Sequence, residues 1–403
     1  MTKLEQLIQE LCPNGVEFKM LGEIGNVSMC KRILKHETSE IGDVPFYKIG
    51  TFGKEANAFI SFETYEKYKR LYSFPKKGEV LISASGTIGR TVIFDGEPAY
   101  FQDSNIVWIS NDETQVTNLF LYYFYQTKPW QVSSGGTIAR LYNDNILRTK
   151  IPVPPLEVQA EIVRILDKFT ELTTELTTEL ANRKKQYAYY REKLLNDYKH
   201  KAEIVKVSDL GSWQGGKTPS MQEKRFWENG TIPWISSKDV KTSELMDTED
   251  HITEYALSES SMKLFPEETV VIVTRSGILK HTFPVAFVPF RTTVNQDIKV
   301  LSVKEGVLPR YAFHVLQAYG EDIRTKAKKQ GGTVDSLEFQ KVLDYEIPLP
   351  DYETQKRLVN VLDNFESICS NLNIGLPAEI EARKKQYEYY RDKLLIFKKV
   401  NNN

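Results

Sequence analysis

The sequence predicts a mixed α/β (α+β) chain in which two globular domains are joined and spaced by two long coiled-coil helices. Three observations carry this prediction: an internal repeat, two stretches of helical periodicity, and two other stretches where strand-like runs alternate with glycine-rich turns. The length of 403 residues also predicts two or three domains.

The repeat is strongest near the end of each half. RKKQYAYYREKLL at Arg183–Leu195 and RKKQYEYYRDKLL at Arg383–Leu395 are identical at eleven of thirteen positions, 200 residues apart. IPVPPLEVQAEIVRILDKF at Ile151–Phe169 corresponds to IPLPDYETQKRLVNVLDNF at Ile347–Phe365, 196 residues apart. The sequences of the two halves are only loosely similar elsewhere. We therefore interpret the chain as a common scaffold that carries two domains with different recognition surfaces. An old duplication that drifted everywhere except in a coiled coil is the alternative.

The part that is most similar between the two halves is predicted to be a long helix. No proline or glycine occurs from Leu156 to Lys201, and apolar residues recur in steps of three and four, as in a coiled-coil seam. A helix over most of this stretch would be about 64 Å long at about 1.5 Å per residue. The matching segment Leu358–Phe397 contains Gly375 and Pro377, so we expect a break there and a new helix from Pro377.

These features divide the chain into four segments. The prediction is a first globular domain at residues 1–151, a central helix at 152–201, a second globular domain at 202–347 and a C-terminal helix at 348–403. VLISAS at Val80–Ser85 and TVVIVTRS at Thr269–Ser276 are typical of buried strands. Each globular segment is therefore predicted to be an α+β domain of about 150 residues.

Composition excludes several classes of protein. Lys and Arg number 53 and Asp and Glu 54, so a uniformly basic nucleic-acid-binding chain is excluded, whereas a local basic face is not. Cys12, Cys30 and Cys369 are too far apart in sequence to indicate a disulfide framework or a metal cluster. No apolar run reaches the ~20 residues of a membrane helix, and no secretory signal is visible, so a cytoplasmic protein is expected.

Motifs for catalysis are weak. GSWQGGKT at Gly211–Thr218 fits the phosphate-loop pattern, but Pro219 removes a backbone N–H donor directly after it. A turn whose Lys217 and Thr218 contact a DNA phosphate, or bind nothing, is therefore favoured over a nucleotide site. The chain lacks the Asn-Pro or Asp-Pro dipeptide of an adenine-methyltransferase pocket, and its histidines lack metal-ligand spacing. We expect no catalytic residue, no metal and no cofactor in this chain.

Polar, glycine-containing loops recur at matched places in both halves. Arg and Lys can hold phosphates or read guanine, Asn and Gln can read adenine, and glycine allows close approach to DNA. Each such loop alone is a common turn, so the recurrence is what favours DNA binding. The candidates of the first half are Lys31, Arg32, Lys35, Ser85, Thr87, Arg90, Gln102, Asn105, Thr137 and Arg140. The candidates of the second half are Lys217, Thr218, Arg275, Ser276, Lys280, Gln296, Lys328, Lys329 and Thr333.

Over its whole length the chain resembles the specificity subunits of type I restriction-modification systems. The resemblance is carried by GLPAEIEARKKQYEYYRDKLL at Gly375–Leu395, by ANRKKQYAYYREKLL at Ala181–Leu195, by the two IPxP…Q…LD…F segments and by ELCPNGVEF at Glu10–Phe18. It implies two target-recognition domains that each read one half of a bipartite, asymmetric DNA site. It also implies that the two long helices are antiparallel and give the chain an internal pseudo-two-fold symmetry.

The resemblance further implies partners and cofactors. The helices would dock two modification subunits, which carry S-adenosylmethionine and methylate adenine, and restriction subunits that use ATP and Mg²⁺ would join them. ELTTELTTEL at Glu171–Leu180 is similar to the tetrapeptide repeats whose copy number sets the gap between half-sites. The expected partner-binding residues are Arg183, Lys184, Tyr187, Tyr190, Arg383, Lys384, Tyr387 and Tyr390.

The resulting expectation is a non-catalytic subunit that recognises double-stranded DNA and assembles other subunits. One alternative is the specificity subunit of an orphan or split type II adenine-methylation system without restriction. A P-loop ATPase with a coiled-coil arm is another, which loss of ATP binding in Lys217→Ala would favour. A structural coiled-coil adaptor is the last, and it predicts no DNA preference.

Overall fold

The computed structural model describes residues 2–131, 139–329, 334–370 and 375–400. The chain forms two compact units. The first unit consists of Met1–Thr174 together with Ala382–Asn403, and the second unit is Glu175–Glu381. Each unit therefore combines one globular domain with helical segments from both halves of the sequence.

The first unit is built from short strands and helices around a scaffold of longer helices. Its strands are β1 (Glu17–Met20), β2 (Gly25–Ser28), β3 (Val44–Tyr47), β4 (Phe59–Ile60), β5 (Val80–Ser83), β6 (Thr91–Ile93), β7 (Tyr100–Phe101), β8 (Ile106–Asn111) and β9 (Lys150–Val153). Its helices are α1 (Lys3–Leu11), α2 (Leu21–Ile24), α3 (Phe62–Leu71), α4 (Asn118–Gln126), α5 (Asn143–Leu147) and the first part of α6 (Leu156–Lys199), with a 3₁₀ turn at Lys35–Glu37.

The second unit has the same kinds of element. Its strands are β10 (Glu203–Lys206), β11 (Gly211–Gly215), β12 (Ile232–Ile235), β13 (Asp250–Ile252), β14 (Thr269–Val273), β15 (Val285–Val288), β16 (Thr293–Val294), β17 (Ile298–Val303) and β18 (Glu346–Leu349). Its helices are the second part of α6, α7 (Glu254–Glu259), α8 (Pro309–Ala327), α9 (Phe339–Leu343) and α10 (Tyr352–Ser370), with 3₁₀ turns at Val207–Leu210, Lys224–Phe226 and Gly277–Lys280. Helix α11 (Leu376–Leu394) begins in the second unit and continues into the first.

The two units repeat one sheet topology, although their globular sequences are only loosely alike. Strand β1 pairs with β9 and β10 pairs with β18, both antiparallel. The larger sheets have the orders β2-β8-β5-β6 and β11-β17-β14-β15, and the smaller sheets have the orders β4-β3-β7 and β13-β12-β16. The predicted strands at Val80 and Thr269 are β5 and β14, whose residues are all buried. The duplication therefore extends through the globular domains, and the predicted α+β fold with two domains and long helices is confirmed.

A glycine at the start of β2 and of β11 shows how the repeat is preserved where the sequences diverge. A Cβ on Gly25 would lie 2.1 Å from the carbonyl oxygen of Ser110, and a Cβ on Gly211 would lie 2.2 Å from that of Ser302. No side chain fits such an approach, so both positions need glycine. These are the last residues of GEIG and SDLG in the sequence.

The cores of the units join the sheets to the long helices. In the first unit, Val107 of β8 and Phe120 of α4 belong to one buried cluster with Ile162 of α6. In the second unit, Leu301 of β17 shares a buried cluster with Leu358 of α10. Full burial of a side chain of this size contributes roughly 1.5–3 kcal/mol, so each domain is held to its helices by the hydrophobic effect.

The long helices pack through matched aromatic pairs. Phe169 of α6 stacks on Tyr390 of α11 in the first unit, with ring centroids 5.5 Å apart. In the second unit Phe365 of α10 stacks on Tyr190 of α6 at 6.0 Å. Since α10 ends at Ser370 and α11 begins at Leu376, the predicted break is confirmed, one residue before the expected start at Pro377. The 44-residue helix α6 contains no break, as predicted.

Within the second unit, α6 and α10 are antiparallel. Tyr190 contacts Phe365, whereas Lys184, six residues earlier, lies near Cys369, four residues later. Burial raises the pKa of the Cys369 thiol, and the ammonium of Lys184 opposes that rise. The two helices therefore run in opposite directions, as expected for the scaffold.

A buried glutamine near the start of α6 fixes the first domain to this helix. Gln159 donates from Nε2 to the carbonyl oxygens of Gln115 and Pro154 at 2.8 and 2.7 Å. Its Oε1 accepts from the backbone N–H of Thr117, the N-cap of α4, at 2.9 Å. All three partners are main-chain groups, and this fully buried side chain satisfies them in the absence of water.

The second unit repeats this arrangement atom for atom. Gln355, near the start of α10, donates to the carbonyl oxygens of Gly306 and Pro350 at 3.0 and 2.9 Å. Its Oε1 accepts from the backbone N–H of Leu308, the N-cap of α8, at 2.9 Å. We call these two arrangements the glutamine clamps. They hold the first turn of each domain helix against the scaffold.

Candidate nucleic-acid interface

In the first unit, three of the predicted loops meet on one surface. Ser85 Oγ donates to Asn105 Oδ1 at 2.8 Å, which joins the loop after β5 to the loop before β8. Arg140 Nη2 donates to the carbonyl oxygen of Ser104 at 2.7 Å and adds a third segment. The structure therefore brings together candidates that are up to 55 residues apart in sequence (85 to 140).

The centre of this surface is a half-open cleft of about 310 Å³, which we call the β7–β8 cleft. Its wall includes apolar Ile33 and Phe46, and its polar lining consists of Arg32, Lys35, Thr38, Lys48, Gln102, Asp103 and Asn105. Three cationic side chains face one carboxylate, so the cleft is basic although the whole chain is nearly neutral. Lys48 and Asp103 were missed by sequence reasoning, since no motif marks a turn residue that only the fold brings into the cleft.

Other candidates of the first unit lie outside the β7–β8 cleft. The ammonium of Lys31 lies 5.2 Å from the centre of the Tyr72 ring. Arg90 is half-buried, and its Nη1 donates to the carbonyl oxygen of Phe52 at 2.7 Å, so it braces its own loop beside exposed Thr87. Thr137 lies outside the described residues.

In the second unit, Lys217, Thr218 and Gln296 come together. Thr218 Oγ1 donates to Gln296 Oε1 at 2.6 Å, and the backbone N–H of Lys217 donates to the carbonyl oxygen of Val294 at 3.0 Å. The side chain of Lys217 is exposed. These contacts place the loop after β11 against the loop between β16 and β17.

The remaining loops of the second unit meet directly after the end of β14. Ser276 N donates to the carbonyl oxygen of Asp335 at 3.0 Å, and Lys328 forms an ion pair with the Asp335 carboxylate at 3.3 Å. Arg275 bridges to Ser336, whose carbonyl oxygen also accepts from Lys329 N at 2.9 Å. The structure thus brings Arg275, Ser276, Lys328 and Lys329 together.

Two candidates of the second unit stand apart from these loops. Lys280 lies on the 3₁₀ turn after Ser276, and its carbonyl oxygen accepts from Arg324 of α8 at 3.1 Å. Among the described residues, no contact of its side chain joins it to the other candidates. Thr333 falls in a stretch that the structure leaves undescribed.

The phosphate-loop pattern has a structural explanation. Gly211–Gly215 is strand β11, paired antiparallel with β17, and the next residues lead to a 3₁₀ turn, Lys224–Phe226. A Cβ on Gly216 would lie 1.8 Å from the carbonyl oxygen of Val294. The glycine is needed for this close approach of two backbones, and a loop that opens directly into a helix around a phosphate is not formed.

Two of the predicted partner-binding tyrosines are wholly or partly buried within their own unit. Tyr187 is only 8% exposed, and its hydroxyl lies 3.2 Å from Nδ1 of His314. Tyr387 is half-buried, and its hydroxyl donates to Gln126 Oε1 at 2.6 Å. Their hydroxyls find partners within their own unit, on α8 and α4, so both tyrosines help to hold a domain to its long helix.

The other residues of the repeated motif lie on the helix surface. Tyr190 and Tyr390 are partly exposed beside their stacked partners. Lys184 and Lys384 are exposed. Arg183 pairs with Glu179 at 2.7 Å and Arg383 bonds Gln386 at 3.2 Å, both along their own helix.

Sequence reasoning missed the most exposed aromatic residues of the motif. Tyr189 is 60% exposed and Tyr389 is 61% exposed. They occupy the same position in the two copies of KKQYxYYR, so the repeat itself contained the signal. Solvent-exposed tyrosines at two matched places are typical of a surface that binds a partner.

A buried polar cluster on the second unit joins α8 to α10. His314 Nε2 lies 2.7 Å from Asp363 Oδ1, and Arg310 contacts Asp363 at 2.6 Å and Glu366 at 3.3 Å. Arg310 also pairs with Glu244 at 3.0 Å. Ligand atoms of His314, Asp363 and Glu366 lie within 4.8 Å of one another, but the guanidinium of Arg310 already forms ion pairs with both carboxylates. These residues therefore fit an ion-pair cluster better than a cation site.

The protonation of this cluster follows from burial. Burial lowers the pKa of His314 below its ordinary value, against the opposing effect of the bond to Asp363. Burial acts to raise the pKa of Asp363, but the bonds from His314 and Arg310 hold it below its usual range. The neutral imidazole thus donates from Nε2 to Asp363 and accepts at Nδ1 from the hydroxyl of Tyr187.

The helices that the structure describes include none with the length and apolar character needed to cross a membrane. The longest, α6, has charged residues along most of its length.

Comparisons with known proteins agree with one another. The family model for the type I restriction modification DNA specificity domain matches residues 13–185 and 199–382. The specificity subunit of the Escherichia coli type I restriction enzyme EcoR124I/EcoR124II is 38% identical over 407 residues, covering 99% of this chain and 98% of that one. A Haemophilus influenzae chain with the provisional name of type I restriction enzyme specificity subunit is 61% identical over 180 residues, covering 44% of this chain and 47% of the relative.

A solved structure shares the fold at low sequence identity. It comes from a study of complex assembly and conformational transition in the type I restriction-modification system. Its TM-score is 0.58 at 14% identity, and the alignment covers 95% of this chain and 98% of that one.

Proposed function

The chain belongs to the family of type I restriction-modification DNA specificity subunits, and on that premise we propose that each globular domain binds one block of a bipartite, asymmetric double-stranded DNA site. One observation carries this proposal: two units of identical sheet order present different polar loops at the same place. Two readers of different base sequences require a constant framework and variable contacts. The E. coli relative is named as part of a restriction enzyme, which disfavours an orphan or split type II methylation system.

The candidate contacts are those that the fold gathers on each domain. In the first unit they are Arg32, Lys35, Ser85, Gln102, Asn105 and Arg140, with Lys48 added. In the second unit they are Lys217, Thr218, Arg275, Ser276, Gln296, Lys328 and Lys329. Their cations fit phosphate contacts that set position, and their amides and hydroxyls fit contacts to base edges.

We propose that the chain is not itself catalytic and holds no cofactor. S-adenosylmethionine, ATP and Mg²⁺ then belong to the modification and restriction subunits that assemble on it, in the cytoplasm where the DNA is. Two copies of a modification subunit fit two exposed surfaces, that around Tyr189 on the second unit and that around Tyr389 on the first, because the same residues presented twice bind the same partner twice. Lys184 and Lys384 lie on the same motif and are exposed in both copies.

The test is a map of DNA methylation. The chain is co-expressed with the modification subunit of its own system, and methylated adenines are located by single-molecule sequencing. We expect methylation at one motif of two short blocks separated by a fixed gap. The modification subunit expressed alone is the control and is expected to leave that motif unmethylated. A single continuous motif would contradict the proposal of two readers.

A further inference from the structure

Gln102 lies in the β7–β8 cleft with its oxygen already engaged. Its Oε1 accepts from the backbone N–H of Ile49 at 2.9 Å, and its own backbone N–H donates to Tyr47. Only an acceptor can meet the N–H of Ile49, so the orientation of the carboxamide is determined. No described residue accepts from Nε2. The side chain therefore offers donors to a ligand in the cleft.

Asn105 also has its carboxamide oxygen engaged, in this case by a hydroxyl. Its Oδ1 accepts from Ser85 Oγ at 2.8 Å, and no acceptor for Nδ2 is found among the described residues. Arg32 donates from Nε to Asp103 at 3.0 Å, which orients a guanidinium that is otherwise 68% exposed and leaves Nη1 and Nη2 for a ligand. Because Asp103 is paired, the lining of the β7–β8 cleft presents mainly N–H groups. Its ligand must supply acceptors.

The second unit places a carboxylate where the first has the carboxamide of Asn105. Asn105 O accepts from the backbone N–H of Ala84 at 2.7 Å, and Asp297 O accepts from that of Thr274 at 2.8 Å, so the two residues correspond. The carboxylate of Asp297 makes no hydrogen bond or ion pair with the residues that the structure describes. A free carboxylate repels a DNA phosphate, so a DNA contact at this position would be to a base and not to the backbone.

We propose that Asn105 and Asp297 read base edges of opposite hydrogen-bond polarity. Asn105 donates to N7 of a guanine in the major groove, and Gln102 and Arg32 donate to O6 of the same base. Asp297 accepts from an exocyclic amino group, that of a cytosine or an adenine. This inference rests on the proposed function, since it assigns a base class to the same two surfaces. It predicts a guanine in the block read by the first unit.

The test uses the matched variants Asn105→Asp and Asp297→Asn in the full chain with its modification subunits. Each exchange is isosteric, and the carboxylate introduced by Asn105→Asp still accepts from Ser85 Oγ, so the fold is retained; thermal unfolding of each variant checks this. Binding is measured on duplexes of the motif found in the methylation map. One duplex series carries 7-deazaguanine, which lacks the N7 acceptor, in place of each guanine in turn.

For the natural chain we expect one 7-deazaguanine substitution to weaken binding about tenfold, the size of one good base contact. For Asn105→Asp the same substitution should make no further difference, and this variant should lose discrimination only in the block that contains that guanine. Asp297→Asn should change discrimination only in the other block.

Three results would overturn the inference. They are a block without guanine, unchanged discrimination in Asn105→Asp, or an equal loss of binding to all sequences, which would indicate a phosphate contact. A natural chain that methylates no bipartite motif would refute the proposed function instead, before the variants are compared.

Discussion

The two units differ most where their domain helices meet the scaffold. In the first unit the hydroxyl of Tyr123 donates to Asp167 at 2.5 Å. In the second unit His314 contacts the matched carboxylate, Asp363, and Arg310 adds ion pairs to the same place. The scaffold thus supplies the same acceptor twice, 196 residues apart, and each domain supplies its own donor.

This difference separates a junction without a cation from one that contains the guanidinium of Arg310. Burial raises the pKa of Tyr123, so its hydroxyl keeps its proton near neutral pH. The second contains an imidazole whose pKa burial lowers, together with an arginine that pairs with acidic residues. The glutamine clamps, by contrast, are alike in both units. The junctions therefore have a constant element and a variable one, and the following substitutions separate their effects.

Removing the glutamine of either clamp should reduce stability the most, and by the same amount in both units. Gln159→Leu and Gln355→Leu each leave one buried N–H and two buried carbonyl oxygens without their partner. At about 1–3 kcal/mol for each orphaned group, with some relief by water, we expect about 4 kcal/mol of lost stability in either unit. Hydrogen–deuterium exchange of α4 and of α8 measures this. A loss in only one unit would show that the clamps are not equivalent.

Removing the charge of Arg310 should have the next largest effect on stability, and this effect should be confined to the second unit. Arg310→Leu leaves the carboxylates of Asp363 and the nearly buried Glu366 without their cation, which we expect to cost about 3 kcal/mol. The control is Leu119→Ala, at the corresponding place on α4, where a half-exposed side chain should contribute less than about 1 kcal/mol. Denaturant unfolding of both variants gives the comparison. Equal losses would contradict the charged-junction interpretation.

Acidification should distinguish the junctions by a smaller amount. Because the pKa of His314 is lower in the folded than in the unfolded chain, the unfolded state binds more protons below pH ~6.5, and stability falls as the pH falls through that value. The loss is about 1.4 kcal/mol for each unit by which the pKa is lowered. Exchange of α8 at pH 7 and pH 5, corrected for intrinsic rates, should show it. The variant His314→Gln and helix α4 of the first unit should show none of this loss.

The exposed tyrosines should have the smallest effect on stability. Tyr189→Ala and Tyr389→Ala remove side chains that are mostly in solvent, so we expect less than about 0.5 kcal/mol in unfolding experiments. Each should weaken binding of one modification subunit, which titration calorimetry can count. A variant that loses stability without losing a partner would assign these residues to the scaffold.

The repeat in the sequence predicted much of the scaffold. Its most regular residues, the glutamine, aspartate and phenylalanine of Q…LD…F, prove to be the clamp, the junction acceptor and the stacking partner of Tyr390 or Tyr190. Helical periodicity located α6, and Gly375 and Pro377 located the break before α11. These are local signals, because propensity and periodicity act over a few residues.

The rest depended on contacts between distant residues. Nothing local to Tyr187 shows that its hydroxyl meets His314, 127 residues later, so this contact was not predicted. Likewise Lys48 and Asp103 enter the β7–β8 cleft through the pairing of β3 with β7, which the sequence does not mark. The candidate loops were found because glycine and polar residues mark turns. The sequence did not predict that these loops assemble into one surface, because tertiary packing decides their positions.

The glutamine clamps have a consequence for how such chains evolve. Each clamp grips carbonyl and amide groups of the main chain, which every residue but proline provides in full. Thr117 and Gln115 stand at the gripped positions in one unit, and Leu308 and Gly306 in the other. A recombination event that brings in a foreign domain therefore meets no side-chain requirement at this joint. New specificities can be acquired by exchanging whole domains, while the clamp glutamines that bind them remain the same.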